Sequence, residues 1–203
     1  ANWAWQVAAS LRLHADWGEG FRAPSMNELY SPGYDGWYAG NPHLNAEHSE
    51  SWELGMRWDY LLNQRMGLRV FRNDIGNLID FVGPQAQALN HAKARIEGVE
   101  AEWTWQTRKY LLQANATWQD AHSEETGEAL LRRAPRKANL LIERSLESGL
   151  RLGVEGVAVS DRPDYGVQLP GYGLLSLRAQ LPLRDGWRLD GRIENLLDRD
   201  YTL

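Results

Sequence analysis

The sequence has no cysteine, which removes disulfide frameworks, thiolate metal sites and cysteine nucleophiles together and leaves the cellular compartment open. No stretch approaches the roughly 18 consecutive apolar residues of a transmembrane helix. The first residues, Ala1-Asn2-Trp3-Ala4-Trp5, lack a basic segment followed by an apolar one, so they do not read as a secretory signal. Any contact with a membrane must therefore be made by strands. Positive charge is also scarce: 22 basic residues stand against 27 acidic ones with no clustered Lys/Arg run, which excludes nucleic acid as a partner. Phenylalanine is rare, at three.

Against those three stand ten tryptophans and eight tyrosines. Both side chains suit a setting with one apolar and one wet side, the condition at a membrane interface or on the walls of a soluble β-protein. Helical periodicity is poor, whereas two-residue alternation recurs in segments of about ten residues bounded by turn residues. Trp52, Leu54, Met56, Trp58 and Tyr60 alternate with Ser51, Glu53, Gly55, Arg57 and Asp59. Leu112, Ala114, Ala116 and Trp118 alternate with Gln113, Asn115, Thr117 and Gln119 in the same way. The pattern predicts an all-β chain of about nine strands near 6–19, 49–61, 65–80, 90–106, 110–121, 136–146, 150–160, 171–182 and 187–195.

The connections separate a membrane barrel from a soluble sandwich. Short links at Leu62-Asn63-Gln64, Thr107-Arg108-Lys109, Glu147-Ser148-Gly149 and Arg184-Asp185-Gly186 interleave with long ones at 20–48, 81–89, 122–135 and 161–170. A sandwich has no reason to make every second loop long, and outer-membrane barrels do so systematically. In such a barrel the apolar sets face lipid. Arg57, Glu53, Glu100, Glu102, Arg151, Glu155, Arg188, Asp190, Arg192 and Glu194 then line the lumen.

Catalysis and metal chemistry find little support in the spacing. His14, His43, His48, His91 and His122 form no HExxH or paired-ligand pattern, so no metal site is predicted. Glu124 and Glu125 read as a solvated loop face rather than an acid/base pair. No phosphate loop or nucleophile elbow is present, and the chain is expected to be no enzyme and to carry no cofactor.

Gly18-Glu19-Gly20-Phe21-Arg22-Ala23-Pro24, with Asn27-Glu28-Leu29-Tyr30 and Gly40-Asn41-Pro42-His43-Leu44, resembles two boxes of the TonB-dependent outer-membrane receptors. Asn77-Leu78-Ile79-Asp80, the run Asn90 to Glu100 and Ile193 to Tyr201 are similar to later strands of that family, in the family's order. Within it, Arg72-Asn73-Asp74-Ile75, Lys93 to Glu100 and Leu130 to Ala134 most resemble the vitamin B12 receptors. The resemblance implies an antiparallel transmembrane β-barrel in the bacterial outer membrane, with about nine of 22 strands present. It makes 1–203 a C-terminal part of that barrel, without the plug domain and without the last strand.

The implied function is uptake of cobalamin or another corrinoid, energised by TonB through an N-terminal region not contained here. Ferric-siderophore uptake and a passive pore are the alternatives. A haem ligand is disfavoured because no histidine lies between the two boxes, from Ser25 to Gly40, and no calcium ligand is carried over. Tyr30, Tyr34, Trp37, Tyr38 and Tyr165 are the candidate flat contacts, with Arg22 and Asn41 as polar supports. Arg22 has a competing structural role as a partner of Glu28. Gly98 is expected at a β-bulge, and Gly18 and Gly20 where the strand leaves the sheet.

Overall fold

Alternating apolar and polar residues build a single-layer antiparallel meander. The computed structural model describes residues 1–83, 85–90 and 93–202; His91 and Ala92 of the Asn90 to Glu100 motif lie outside them. The strands are β1 (Asn2–Ala8), β2 (Leu11–Arg22), β3 (Glu47–Leu61), β4 (Gln64–Gly76), β5 (Ile79–Val82), β6 (Gln87–Asn90) and β7 (Ala94–Gln106). They continue with β8 (Tyr110–Ser123), β9 (Arg136–Ser145), β10 (Arg151–Val159), β11 (Arg162–Asp164), β12 (Val167–Leu169), β13 (Tyr172–Pro182) and β14 (Arg188–Ile193). One short helix, α1 (Met26–Tyr30), interrupts the first long loop.

Ten strands form the main sheet in the order β1-β2-β3-β4-β7-β8-β9-β10-β13-β14. β5–β6 and β11–β12 are separate hairpins raised from two of the long connections. The count exceeds the expected nine because a tight turn at Ala9 and Ser10 divides the first segment into β1 and β2. That turn holds no Gly, Pro, Asn or Asp, and Ser10 alone is a weak turn signal.

Two expectations about glycine are corrected. β2 runs on through Gly18 and Gly20, which pair with Ser51 and Ser49, as far as Arg22. Gly98 sits in unbroken register between Phe71 and Gln119, with no bulge. Its role is close approach: a Cβ there would lie 2.3 Å from the Trp118 carbonyl oxygen and 3.0 Å from the Phe71 ring.

The register puts two chemically distinct faces on the sheet. Trp52 stands opposite Trp17 and Leu54 opposite Ala15; Val154 lies between Ile142 and Leu177. On the other face Asp16 stands opposite Glu53, and Asn139 Nδ2 donates to Asn115 Oδ1 at 2.8 Å. Arg69 pairs with Glu53 and Glu100, Arg178 with Glu143 and Arg192 with Glu155. The only buried apolar residues among the described ones are Ile79, Ala88, Ala94, Ala121 and Ala134, while Leu54 is 60 % exposed. A soluble protein would hide that apolar face; a membrane barrel solvates it with lipid and turns the ion pairs to the lumen.

Aromatic residues mark the two interfaces. Trp17 Nε1 and Trp52 Nε1 both donate to Glu50 Oε1, at 2.9 and 3.1 Å, so the indole bodies lie below a shared polar acceptor. At the other end Trp58 and Tyr60 meet edge to face at 4.8 Å, and Trp105 stacks on Tyr110 at 6.2 Å. Trp52 and Tyr60 are eight positions apart on β3. That is about 26 Å along a strand and roughly 20 Å along the normal at a tilt of about 40°, close to an outer-membrane apolar band.

Candidate functional site

The long connections 23–46, 77–93, 124–135 and 160–171 all emerge at the end of the sheet beyond Trp17 and Trp52, and they are fastened to it and to one another. Ser25 caps α1 in a capping box: its hydroxyl accepts from the Glu28 N–H, and the Glu28 carboxylate accepts from the Ser25 N–H at 2.6 Å. The same carboxylate receives Arg22 Nη1 at 3.0 Å. Arg22 Nη2 and Nε reach both oxygens of Glu47 at 2.6 and 2.7 Å. Glu47 Oε1 also accepts the buried Ile79 N–H at 2.8 Å, which ties the base of β5 to the top of β2 and β3.

Burial pushes the Glu28 and Glu47 carboxyls up, but hydrogen bonds from Arg22, joined by Ser25 and Ile79, hold both below the usual carboxylate range. Arg22 is raised, first by Glu47 and then by Glu28. Its guanidinium is thus committed to a structural clamp, the role that competed with ligand contact.

A second set of bonds sews the first long loop to the β5–β6 hairpin. The Asn90 side chain donates to the Asn45 and Asn77 carbonyls at 3.0 and 2.8 Å and accepts from the Asn45 N–H at 2.7 Å. Ala88 N donates to the Ala39 carbonyl at 3.1 Å, and Tyr38 N to that of Gln85 at 3.0 Å. Beyond this seam the chain turns at Asp35-Gly36, both left-handed, closed by paired bonds between Tyr34 and Trp37 at 2.7 and 2.8 Å. Gly33 is required there, since its φ is +68° and a Cβ would lie 2.4 Å from the Trp37 carbonyl oxygen.

The candidate residues divide accordingly. Tyr38 packs on Phe81 with ring centroids 6.0 Å apart, and the Tyr165 hydroxyl donates to Asp80 Oδ1 at 3.4 Å. Burial, then the Asp80 charge, raises the Tyr165 phenol, which keeps it a donor. Tyr34 and Trp37 form the adjacent exposed tip. Tyr30 projects from α1 at 62 % exposure without joining this cluster. Asn41 is a turn residue: its N–H donates to the Glu28 carbonyl and its Oδ1 accepts the His43 N–H. Phe81 and Asp80 were missed as site residues, although their apolar run Leu78-Ile79-Asp80-Phe81 was visible.

From the other side, Arg132 Nε donates to Asp164 Oδ1 at 3.0 Å and Arg132 N to the Pro163 carbonyl at 2.8 Å. This fixes the β11–β12 hairpin that carries Tyr165. The result is a loop surface on which Tyr38 packs against half-buried Phe81, Tyr165 bonds the adjacent Asp80, and Tyr34 and Trp37 form the exposed tip beside them. It can stack on a flat amphiphilic ligand and accept hydrogen bonds from its edge; nothing in it resembles a catalytic constellation.

Comparison with known proteins agrees with this architecture. The family described as TonB dependent receptor-like, beta-barrel matches residues 1–196. The vitamin B12 transporter BtuB of Vibrio vulnificus strain YJ016 is 34% identical over 194 residues, covering 92% of this chain and 30% of that protein. Among solved structures, the copper transporter OprC superposes with a TM-score of 0.84 at 21% identity, over 99% of this chain and 33% of OprC. The ferric enterobactin receptor PfeA of Pseudomonas aeruginosa gives 0.80 at 23%, over 98% of this chain and 34% of that one. The chain thus spans about a third of the length of the relatives it matches. With its lipid-facing apolar wall, charged lumen and alternating loop lengths, it belongs to the TonB-dependent receptor β-barrel family of the bacterial outer membrane.

Proposed function

We propose that residues 1–203 are a C-terminal portion of the barrel of an energised outer-membrane receptor that takes up cobalamin or a related corrinoid. On this reading the unpaired edges of β1 and β14 meet further strands of the same barrel, because unsatisfied backbone groups do not face lipid. A plug and the region that TonB engages lie outside this sequence. The observation that carries the ligand assignment is the convergence of Tyr38, Phe81 and Tyr165 from three separate loops beside Asp80. A corrin is a broad macrocycle fringed with amides, so ring stacking and a carboxylate acceptor suit it. The 34% identity to a B12 transporter supports the same choice.

Ferric-siderophore uptake is the second reading, favoured by the fold-level likeness to a ferric enterobactin receptor. Titration of the complete receptor in detergent with cyanocobalamin and with ferric enterobactin, read by tryptophan fluorescence, decides between them. The corrinoid reading expects saturable quenching by cyanocobalamin at micromolar ligand, part of which disappears in Trp37→Phe, and weaker binding in Tyr38→Ala and Tyr165→Ala. Quenching by the siderophore alone transfers the assignment to iron uptake, and quenching by neither leaves a pore.

A further inference from the structure

On the lumenal wall, away from the loops, His14, Asp16 and Glu53 bring one ring nitrogen and two carboxylates within 4.8 Å of one another. His14 and Asp16 are two apart on β2 and so share a face, and the antiparallel register places Glu53 of β3 directly opposite Asp16. The partner opposite His14 is Gly55, and this is what shapes the site. A Cβ at Gly55 would lie 2.0 Å from His14 Cε1 and 2.3 Å from Nε2, so the imidazole lies flat across the glycine and is steered toward Glu53. His14 Nε2 is 3.3 Å from Glu53 Oε1. Two donors at that separation, each about 2.05 Å from a common ion, subtend an angle of about 107°, near the tetrahedral value.

The carboxylates are also held from behind. Arg69 Nη1 donates to Glu53 Oε2 at 3.1 Å, leaving Oε1 toward the histidine, and Asn2 Nδ2 bonds Asp16 Oδ1. Such outer partners orient metal ligands in known sites. Glu53 and neighbouring Glu100 share Arg69, which holds the Glu53 carboxylate in place. The side chains of the triad are half-buried, within the sheet rather than at a frayed end.

We propose that His14, Asp16 and Glu53 form a divalent transition-metal site of the zinc class on the lumenal wall. One neutral imidazole and two carboxylates make three protein ligands, with a fourth position open to water or to whatever occupies the lumen. No spacing along the sequence marks it, because the third ligand comes from the neighbouring strand, 37 positions beyond Asp16. The site does not depend on which ligand the extracellular loops take.

The test uses the complete receptor in detergent, stripped with a chelator and titrated with Co²⁺ as a spectroscopic probe. The expected result is a saturable visible d–d band of one ion per receptor, abolished by Zn²⁺, absent in His14→Ala and Glu53→Gln and unchanged in His122→Ala. Asn2→Ala should weaken binding about 10-fold through loss of an orienting partner. Gly55→Ala should remove the band because the ring is displaced, although the residue is no ligand; if that variant does not assemble, Glu53→Gln, which keeps size, decides. Heat-dependent gel mobility verifies that each barrel is closed. No band at saturating Co²⁺, or one that persists in His14→Ala, overturns the site.

Discussion

Replacing Arg22 by alanine removes the centre of the clamp that joins α1, the top of β3 and the β5–β6 hairpin. Three of its nitrogens serve two carboxylates, and the Glu28 and Glu47 side chains are only 14% and 11% exposed. Charge-assisted bonds contribute roughly 1.5–3 kcal/mol each. The arginine side chain is itself 47% exposed, so solvent screening reduces the sum to about 2 kcal/mol for the clamp as a whole. Glu47 is left half-satisfied by the Ile79 N–H alone. Two kcal/mol corresponds to about a 30-fold rise in the open population of the loop, since each 1.4 kcal/mol is tenfold. Amide hydrogen exchange reads this directly: in Arg22→Ala the Ile79 amide and the Asn45–Asn90 seam should exchange about 30-fold faster, while β7–β8 amides stay protected. The sign with pH is settled by the depressed Glu28 and Glu47 carboxyls. Their stabilisation is full above the usual value of 4.5 and is lost as pH falls through the lowered folded values. Unchanged Ile79 exchange in the variant, or an equal loss of protection throughout β7–β8, would refute a local clamp.

Gly33→Ala should destabilise the loop tip by about 1–2 kcal/mol, from a left-handed Cβ and its clash with the Trp37 carbonyl, seen as faster proteolysis within 31–40. Gly98→Ala drives a Cβ into the Trp118 carbonyl and the β7–β8 ladder, and a lowered unfolding temperature in micelles is expected, with Gly191→Ala, which meets open space, as the control. Glu50→Ala takes away the acceptor shared by two indoles, at about 0.5–1.5 kcal/mol per bond, and should shift the tryptophan emission and weaken the outer girdle; an unaltered spectrum argues against it. Asp164 lies below its usual range, first because Arg132 donates to it and then through the Tyr165 N–H. Its hold on the β11–β12 hairpin is full above the usual Asp value of 3.8 and is released below that, which a carboxylate NMR titration of Asp164 against Arg132→Ala can follow.

The all-β class, the two faces and the lumenal charges were legible in the sequence, because a strand's two-residue period is a local property that survives without knowledge of partners. Trp52 and Glu53 declare opposite environments whatever they pair with. Loop lengths declared sidedness for the same reason. Where local chemistry is weak, the sequence misleads: Ala9-Ser10 turns with only a serine to mark it, and Gly98 serves close strand approach rather than a bulge. Only the tertiary structure decided what lies together across strands and loops. It bonded Arg22 to two carboxylates, placed Asn41 in a turn, packed Tyr38 on Phe81, bonded Tyr165 to Asp80, and set Glu53 beside His14 over the bare backbone of Gly55. Each of these depends on strand register and loop closure, which sum contacts over distant residues and leave no trace in the spacing of any one segment.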